Sequence, residues 1–166
     1  QDGAIANEDW IALGVAFGAR GNDRLVGGSG DDSLDGQVGD DRMRGGSGAD
    51  QLIGENGTDR INGGDGDDRV NGGPGPDEVD SGGGSDRIDG EGGGDTFLSG
   101  DGEDLLIGGT GGERMDGGRG ADRIYGGLVD DEMFGGPGDD LLVGGHGVDA
   151  MHGGDGNDWM RGDTNR

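Results

Sequence analysis

Apolar residues return at every ninth position of this chain. From Leu25 the series runs through Leu34, Met43, Leu52, Ile61, Val70, Val79, Ile88, Phe97, Leu106, Met115, Ile124, Met133, Leu142 and Met151 to Met160, with no insertion or deletion. Such a spacing fits neither the ~3.6-residue period of an amphipathic helix nor the roughly two-residue period of a half-buried strand, so it predicts a repeated unit that buries one side chain each time. Sixteen such units run from Gly18 to Arg161. The first position is Gly in fourteen of them, with Ser81 and Ser99 the exceptions; the fourth is Gly in fifteen, with Val129 the exception. The sixth is Asp in fifteen and Glu113 in the other.

Glycine-rich halves predict tight turns, and the last three residues of each unit, polar then apolar then variable, predict one short strand. Two units then make one rung, and residues eighteen apart stack about 4.8 Å from each other along parallel strands. The expected fold is all-β, a parallel β-roll or β-solenoid of two facing short-stranded sheets and about eight two-unit rungs around a thin apolar seam. Residues 1–17 precede the regular array and are expected to form an N-terminal cap, degenerate repeat or assembly strand. There Asp9-Trp10-Ile11 is similar to Asp158-Trp159-Met160, and Ile11, Leu13, Val15 and Phe17 alternate like a strand. Residues 162–166 begin a seventeenth turn.

Composition sharpens this picture. The 166 residues include 48 Gly and no Cys, and 37 acidic side chains outnumber 12 Arg and no Lys, for a formal charge of -25. Without something to neutralise them such carboxylates repel, so nucleic acid and anionic membranes are poor partners and divalent cations good ones. Disulfides and thiolate metal sites are excluded, and no apolar run approaches the ~18 residues of a membrane span. The chain begins at Gln1 rather than Met, as a processed form or an excised fragment would.

The unit Gly63-Gly64-Asp65-Gly66-Asp67-Asp68-Arg69-Val70-Asn71 has the pattern G-G-x-G-x-D-x-U-x, with U apolar. Sixteen such units in phase, 144 of the 166 residues, resemble the RTX (repeats-in-toxin) family of haemolysin-type calcium-binding nonapeptides. The resemblance implies calcium ions between the turns of adjacent rungs, held by backbone carbonyls and sixth-position carboxylates. It also implies bacterial secretion in the unfolded state through a type I exporter, with folding on meeting external calcium. The flank that usually follows such repeats is missing after Arg166, which leaves the export route open.

The chemistry agrees independently, because calcium takes about six to eight oxygens in tolerant geometry and glycine turns expose carbonyls beside carboxylates. One side of the roll is expected to stack Asp23, Asp41, Asp59, Asp77, Asp95, Glu113, Asp131 and Asp149. The other is expected to stack Asp32, Asp50, Asp68, Asp86, Asp104, Asp122, Asp140 and Asp158. Eight ligands per ladder make seven junctions, so fourteen intrachain calcium sites would bring 28 positive charges against the formal -25. The junctions from Asp95 through Glu113 and Asp131 to Asp149 are expected to be weak or empty, since Glu113 is longer and Val129 replaces a turn glycine.

Other motifs lead nowhere. His146 and His152 lack the spacing of a zinc site and are expected to be surface residues. The tripeptide Arg161-Gly162-Asp163 arises readily in this composition, and an EF-hand at Asp31-Ser33-Asp35-Gly36 fails because Arg42 stands in place of its bidentate Glu. No nucleophile, base and orienting group can be assembled, so the chain is not expected to be an enzyme.

The outward strand positions divide by face. Arg24, Arg42, Arg44 and Arg60 cluster on one, where they should offset neighbouring carboxylates. Leu105, Ile107, Tyr125, Leu141, Val143 and Trp159 occupy the other as an apolar docking surface. The function expected is a calcium-binding, extracellular, secreted scaffold that folds on binding calcium. Its uncovered last rung at Met160 invites the irregular N-terminal segment of another copy, giving a head-to-tail filament. The alternative is an accessory calcium-binding domain of a larger secreted enzyme, toxin or adhesin.

Overall fold

The structure, a computed structural model, describes residues 14–162, with no helix among them. The first strands, β1 (Val15–Arg20), β2 (Arg24–Ser29), β3 (Ser33–Val38) and β4 (Arg42–Ser47), set a scheme that the rest repeat. β1 pairs in parallel with β3, Ala16 opposite Leu34, and β2 with β4, Leu25 opposite Met43. Each later strand joins the strand two before it at the same eighteen-residue offset, so a nine-stranded parallel sheet faces an eight-stranded one. This is a β-solenoid of about eight turns.

Most strands are longer than the three residues predicted. β4 continues through Gly45, Gly46 and Ser47, and Gly46 pairs with Gly28 and Gly64 before the chain turns. Glycine has little intrinsic preference for strands, but here it is the residue that pairing requires. The carbonyl oxygen of Gly28 comes so close to Gly46, whose φ is +125°, that no side chain could stand between them. Only Gln51–Ile53, Thr96–Leu98, Arg114–Asp116 and Trp159–Arg161 keep the three-residue form.

The core is a single file. Every eighth-position side chain from Leu25 to Leu142 is buried, Met151 is half-buried against the file, and Met160 is 49% exposed. The file begins ahead of Gly18 within β1, because Ala16 takes the eighth-position place. Val15 and Phe17 face outward at 52% and 55% exposure, since alternate residues of a strand point to opposite faces. Ile11, Leu13 and the segment Asp9-Trp10-Ile11 lie outside the described residues.

On the outer faces, Arg60 pairs with Glu78 at 3.0 Å, but Arg24, Arg42 and Arg44 form no ion pair with any described residue. Of these four, Arg60 alone closes an ion pair with a described residue. The apolar surface is also less continuous than predicted. Ile107, Tyr125 and Val143 do form an unbroken row, whereas Arg123 separates Leu105 from Leu141 and Trp159 in the parallel register. Trp159 is exposed and the other five residues are half-buried.

Candidate metal centre

The sixth residue of each unit closes a turn and immediately precedes a strand, so strand register dictates where its carboxylate goes. Where the chain crosses from the nine-stranded to the eight-stranded sheet, Asp23, Asp41, Asp59, Asp77, Asp95, Glu113, Asp131 and Asp149 stack along one seam. Where it returns, Asp32, Asp50, Asp68, Asp86, Asp104, Asp122, Asp140 and Asp158 stack along the other. The structure thus brings together the two predicted ladders. Their members are buried from Asp32 to Asp140.

Each ladder is tied by hydrogen bonds that use only half of each carboxylate. The amide of Asp23 donates to Asp41 Oδ1 at 2.7 Å, that of Asp32 to Asp50 Oδ1 at 2.8 Å, and that of Asp59 to Asp77 Oδ1 at 2.8 Å. The other oxygen, Oδ2, is buried without a partner in every ladder Asp from Asp23 to Asp140. It faces a second acceptor across a gap that only a glycine leaves. A Cβ on Gly117 would lie 2.6 Å from Asp122 Oδ2 and 2.9 Å from the carbonyl oxygen of Gly135, on the next rung. Two acceptors aimed at one space need a proton or a cation between them.

Proton affinity follows from the same burial. Burial pushes the carboxyls of Asp41, Asp68 and Asp95 up to about 6, and those of Asp77 and Asp122 up to about 7. The repulsion of ladder neighbours adds to this for Asp41, Asp68, Asp77 and Asp122, while the amide hydrogen bonds pull the other way.

Glu113 breaks the pattern at one junction. Its extra methylene carries the carboxyl past the amide of Asp95, which makes no hydrogen bond to it, and both Glu113 oxygens lack a hydrogen-bond partner. Burial, then contact with Asp131, hold the Glu113 carboxyl well above the usual carboxylate range. The neighbouring links survive, the amide of Glu113 donating to Asp131 Oδ1 at 2.9 Å and that of Asp131 to Asp149 Oδ1 at 3.2 Å. Of the stretch expected to be weak, the loss of the ladder hydrogen bond is confined to Asp95–Glu113.

Sequence reasoning missed a second, outer ladder. At the fifth position Asp31, Asp40, Asp67, Asp130 and Asp139 accept amides from the following rung, as in Asn157 to Asp139 Oδ1 at 2.8 Å. Asn22 does the same for Asp40 at 3.0 Å. The signal was visible as Asp or Asn directly before the sixth-position Asp, a residue pair that favours side-chain capping of turns.

The family model of the RTX calcium-binding nonapeptide repeat matches residues 17–52, 44–79, 71–106, 107–142 and 125–160. The chain belongs to this RTX family. Comparison with curated proteins returns no match. RTX repeats bind calcium, and the chain is a calcium-binding module on a structural fold.

The residues present fit that ion. Among the described residues no three His, Asp or Glu side chains converge, so an ion at an RTX junction would rely on carboxylates and backbone carbonyls together. That is a hard, all-oxygen donor set of the kind calcium accepts. Of the histidines, His146 is exposed and His152 stacks on Phe134 with ring centroids 4.9 Å apart. No helix among the described residues is long and apolar enough to cross a membrane.

Proposed function

We propose that Asp23, Asp32, Asp41, Asp50, Asp59, Asp68, Asp77, Asp86, Asp95, Asp104, Glu113, Asp122, Asp131, Asp140, Asp149 and Asp158 are the calcium ligands of an extracellular scaffold module that compacts when calcium arrives. The row of buried, unpartnered Oδ2 atoms carries this reading. An ionised carboxylate buried without a partner costs several kcal/mol, and here the cost recurs at rung after rung. Calcium supplies positive charge between facing oxygens, so metal affinity becomes folding free energy. Within the chain, the Oδ1 to amide bonds aim each carboxylate and the first-position glycines leave it room. Proteins with these repeats are typically secreted by bacteria, which matches a module that stays open where calcium is scarce and closes where it is plentiful.

Circular dichroism during a calcium titration tests the proposal. A chain poor in β structure in chelator and rich in it at millimolar calcium is the expected result, and equal β content in both would end the reading. Magnesium should substitute poorly, since it dehydrates reluctantly and demands stricter octahedral geometry.

Head-to-tail association is the second part of the proposal. The outermost described strands of the nine-stranded sheet, β1 and Trp159–Arg161, carry exposed Val15 and Phe17 at one side and Trp159 and Met160 at the other. Light scattering and negative-stain microscopy in millimolar calcium should reveal fibres that dissolve in chelator. Particles that stay monomeric at every concentration would remove this part and leave the calcium ladders untouched.

A further inference from the structure

The two units that begin with serine fall on consecutive rungs of one seam. Ser81 and Ser99 belong to the ladder of Asp86, Asp104 and Asp122, and both are wholly buried, at 0% exposure. At the glycine positions the space where a Cβ would stand lies between a carboxylate Oδ2 and the next rung's carbonyl oxygen, as at Gly117. At residues 81 and 99 a Cβ and a hydroxyl stand in that space. The Ser81 hydroxyl donates to the Ser99 carbonyl oxygen at 3.1 Å, and the Ser99 hydroxyl donates to that of Gly117. Each hydroxyl also lies against the carboxylate of its own unit, Asp86 or Asp104.

A hydroxyl there changes what the junction needs. Elsewhere two acceptors face each other and call for a cation, whereas here a hydroxyl donor already satisfies the carbonyl and only Oδ2 of Asp86 or Asp104 is left without a partner. Calcium would also need its oxygens at about 2.3–2.6 Å, in space that the serine side chain fills. We infer that Ser81 and Ser99 close the Asp86–Asp104 and Asp104–Asp122 junctions to calcium and join those rungs through their own hydroxyls, which takes Asp104, the residue between them, out of the calcium-ligand set. This rests on the reading that the carboxylate ladders hold calcium. On the opposite seam the rungs at this level contain the irregular Asp95–Glu113 junction. Irregular links therefore gather near the middle of the roll, between two regular arrays of junctions.

Native mass spectrometry and equilibrium dialysis of the full chain at saturating calcium, with Ser81→Gly/Ser99→Gly beside it, test the inference. The glycine variant should hold two more ions than the parent. Ser81→Ala/Ser99→Ala keeps a Cβ in each space while removing the donor, so it should bind the parent's number of ions and melt lower. An unchanged or reduced count in the glycine variant overturns the inference, and so does a loss of ions in the alanine variant, which would make the hydroxyls ligands. A parent chain that takes up no calcium at all would fail the ladder reading itself, and this inference with it. A parent that binds calcium while the glycine variant gains none would fail this inference alone.

Discussion

Asp59 gives Asp41 only one of its two oxygens. Oδ1 accepts the Asp41 amide at 2.7 Å, while Oδ2 is buried without a partner and faces the carbonyl oxygen of Gly72. Asp59→Asn separates the two roles, because the amide oxygen can still accept from Asp41 while the amide nitrogen can donate to Gly72. In chelator the variant should keep more β structure than the parent; in saturating calcium it should melt lower and hold fewer ions. Circular dichroism in chelator and differential scanning fluorimetry in calcium check this, and a loss or a gain in both buffers would contradict the division of labour.

Acid should favour the calcium-free fold. Folded-state values raised from 3.8 to about 6 at Asp41, Asp68 and Asp95, and to about 7 at Asp77 and Asp122, mean that the folded chain binds protons more tightly than the unfolded one. The resulting stability is complete below about 3.8 and is lost as pH climbs through 6 to 7. In chelator, the β-sheet signal should therefore grow as pH falls from about 8 to about 4. With calcium present the trend should reverse, because protons compete for the same oxygens. A chelator series that stays flat or declines toward acid would refute this.

Glu113→Asp with Val129→Gly should raise the melting temperature at limiting calcium. The shorter acid can reach the Asp95 amide that Glu113 overshoots, restoring the one missing ladder bond. Val129 sits at a φ of +83°, a left-handed conformation that costs a residue with a Cβ about 1–2 kcal/mol. Thermal melts at substoichiometric calcium are the measurement, and no gain would count against both assignments.

Asp139→Ala removes an outer-ladder cap without touching an Oδ2. The hydrogen bonds from the Asn157 amide and side chain hold the Asp139 carboxyl below its ordinary value, so both are lost with it. Melting temperature should fall slightly while the number of bound ions stays the same. A drop in calcium stoichiometry would mean that the outer carboxylates also hold metal.

Both inner ladders could be read from the chain because the nine-residue period is written in residue identity, and parity alone sends Asp41 and Asp50 to opposite seams. Strand length could not be read the same way. Gly45 and Gly46 resemble turn residues by propensity, and only the neighbouring rungs make them strand residues. Ser81 and Ser99 were visible as exceptions, yet their meaning depended on knowing that the missing Cβ of a first-position glycine faces a carboxylate. Arg123 interrupting the apolar row was likewise in plain view, but an interruption matters only once Leu105 and Leu141 are known to be its lateral neighbours.

The eighteen-residue rung separates the inheritance of the interior from that of the surface. Deleting nine residues would shift every later unit to the opposite sheet, and the carboxylate file would still close up, since nearly any unit can follow any other there. The outside would not survive the same edit: Tyr125 and Val143 would move to the face that carries Arg42 and Arg60. A gene duplicating or losing single units could thus keep the metal-binding spine while reshuffling both outer faces, whereas even-numbered steps would lengthen the molecule and preserve its two sides.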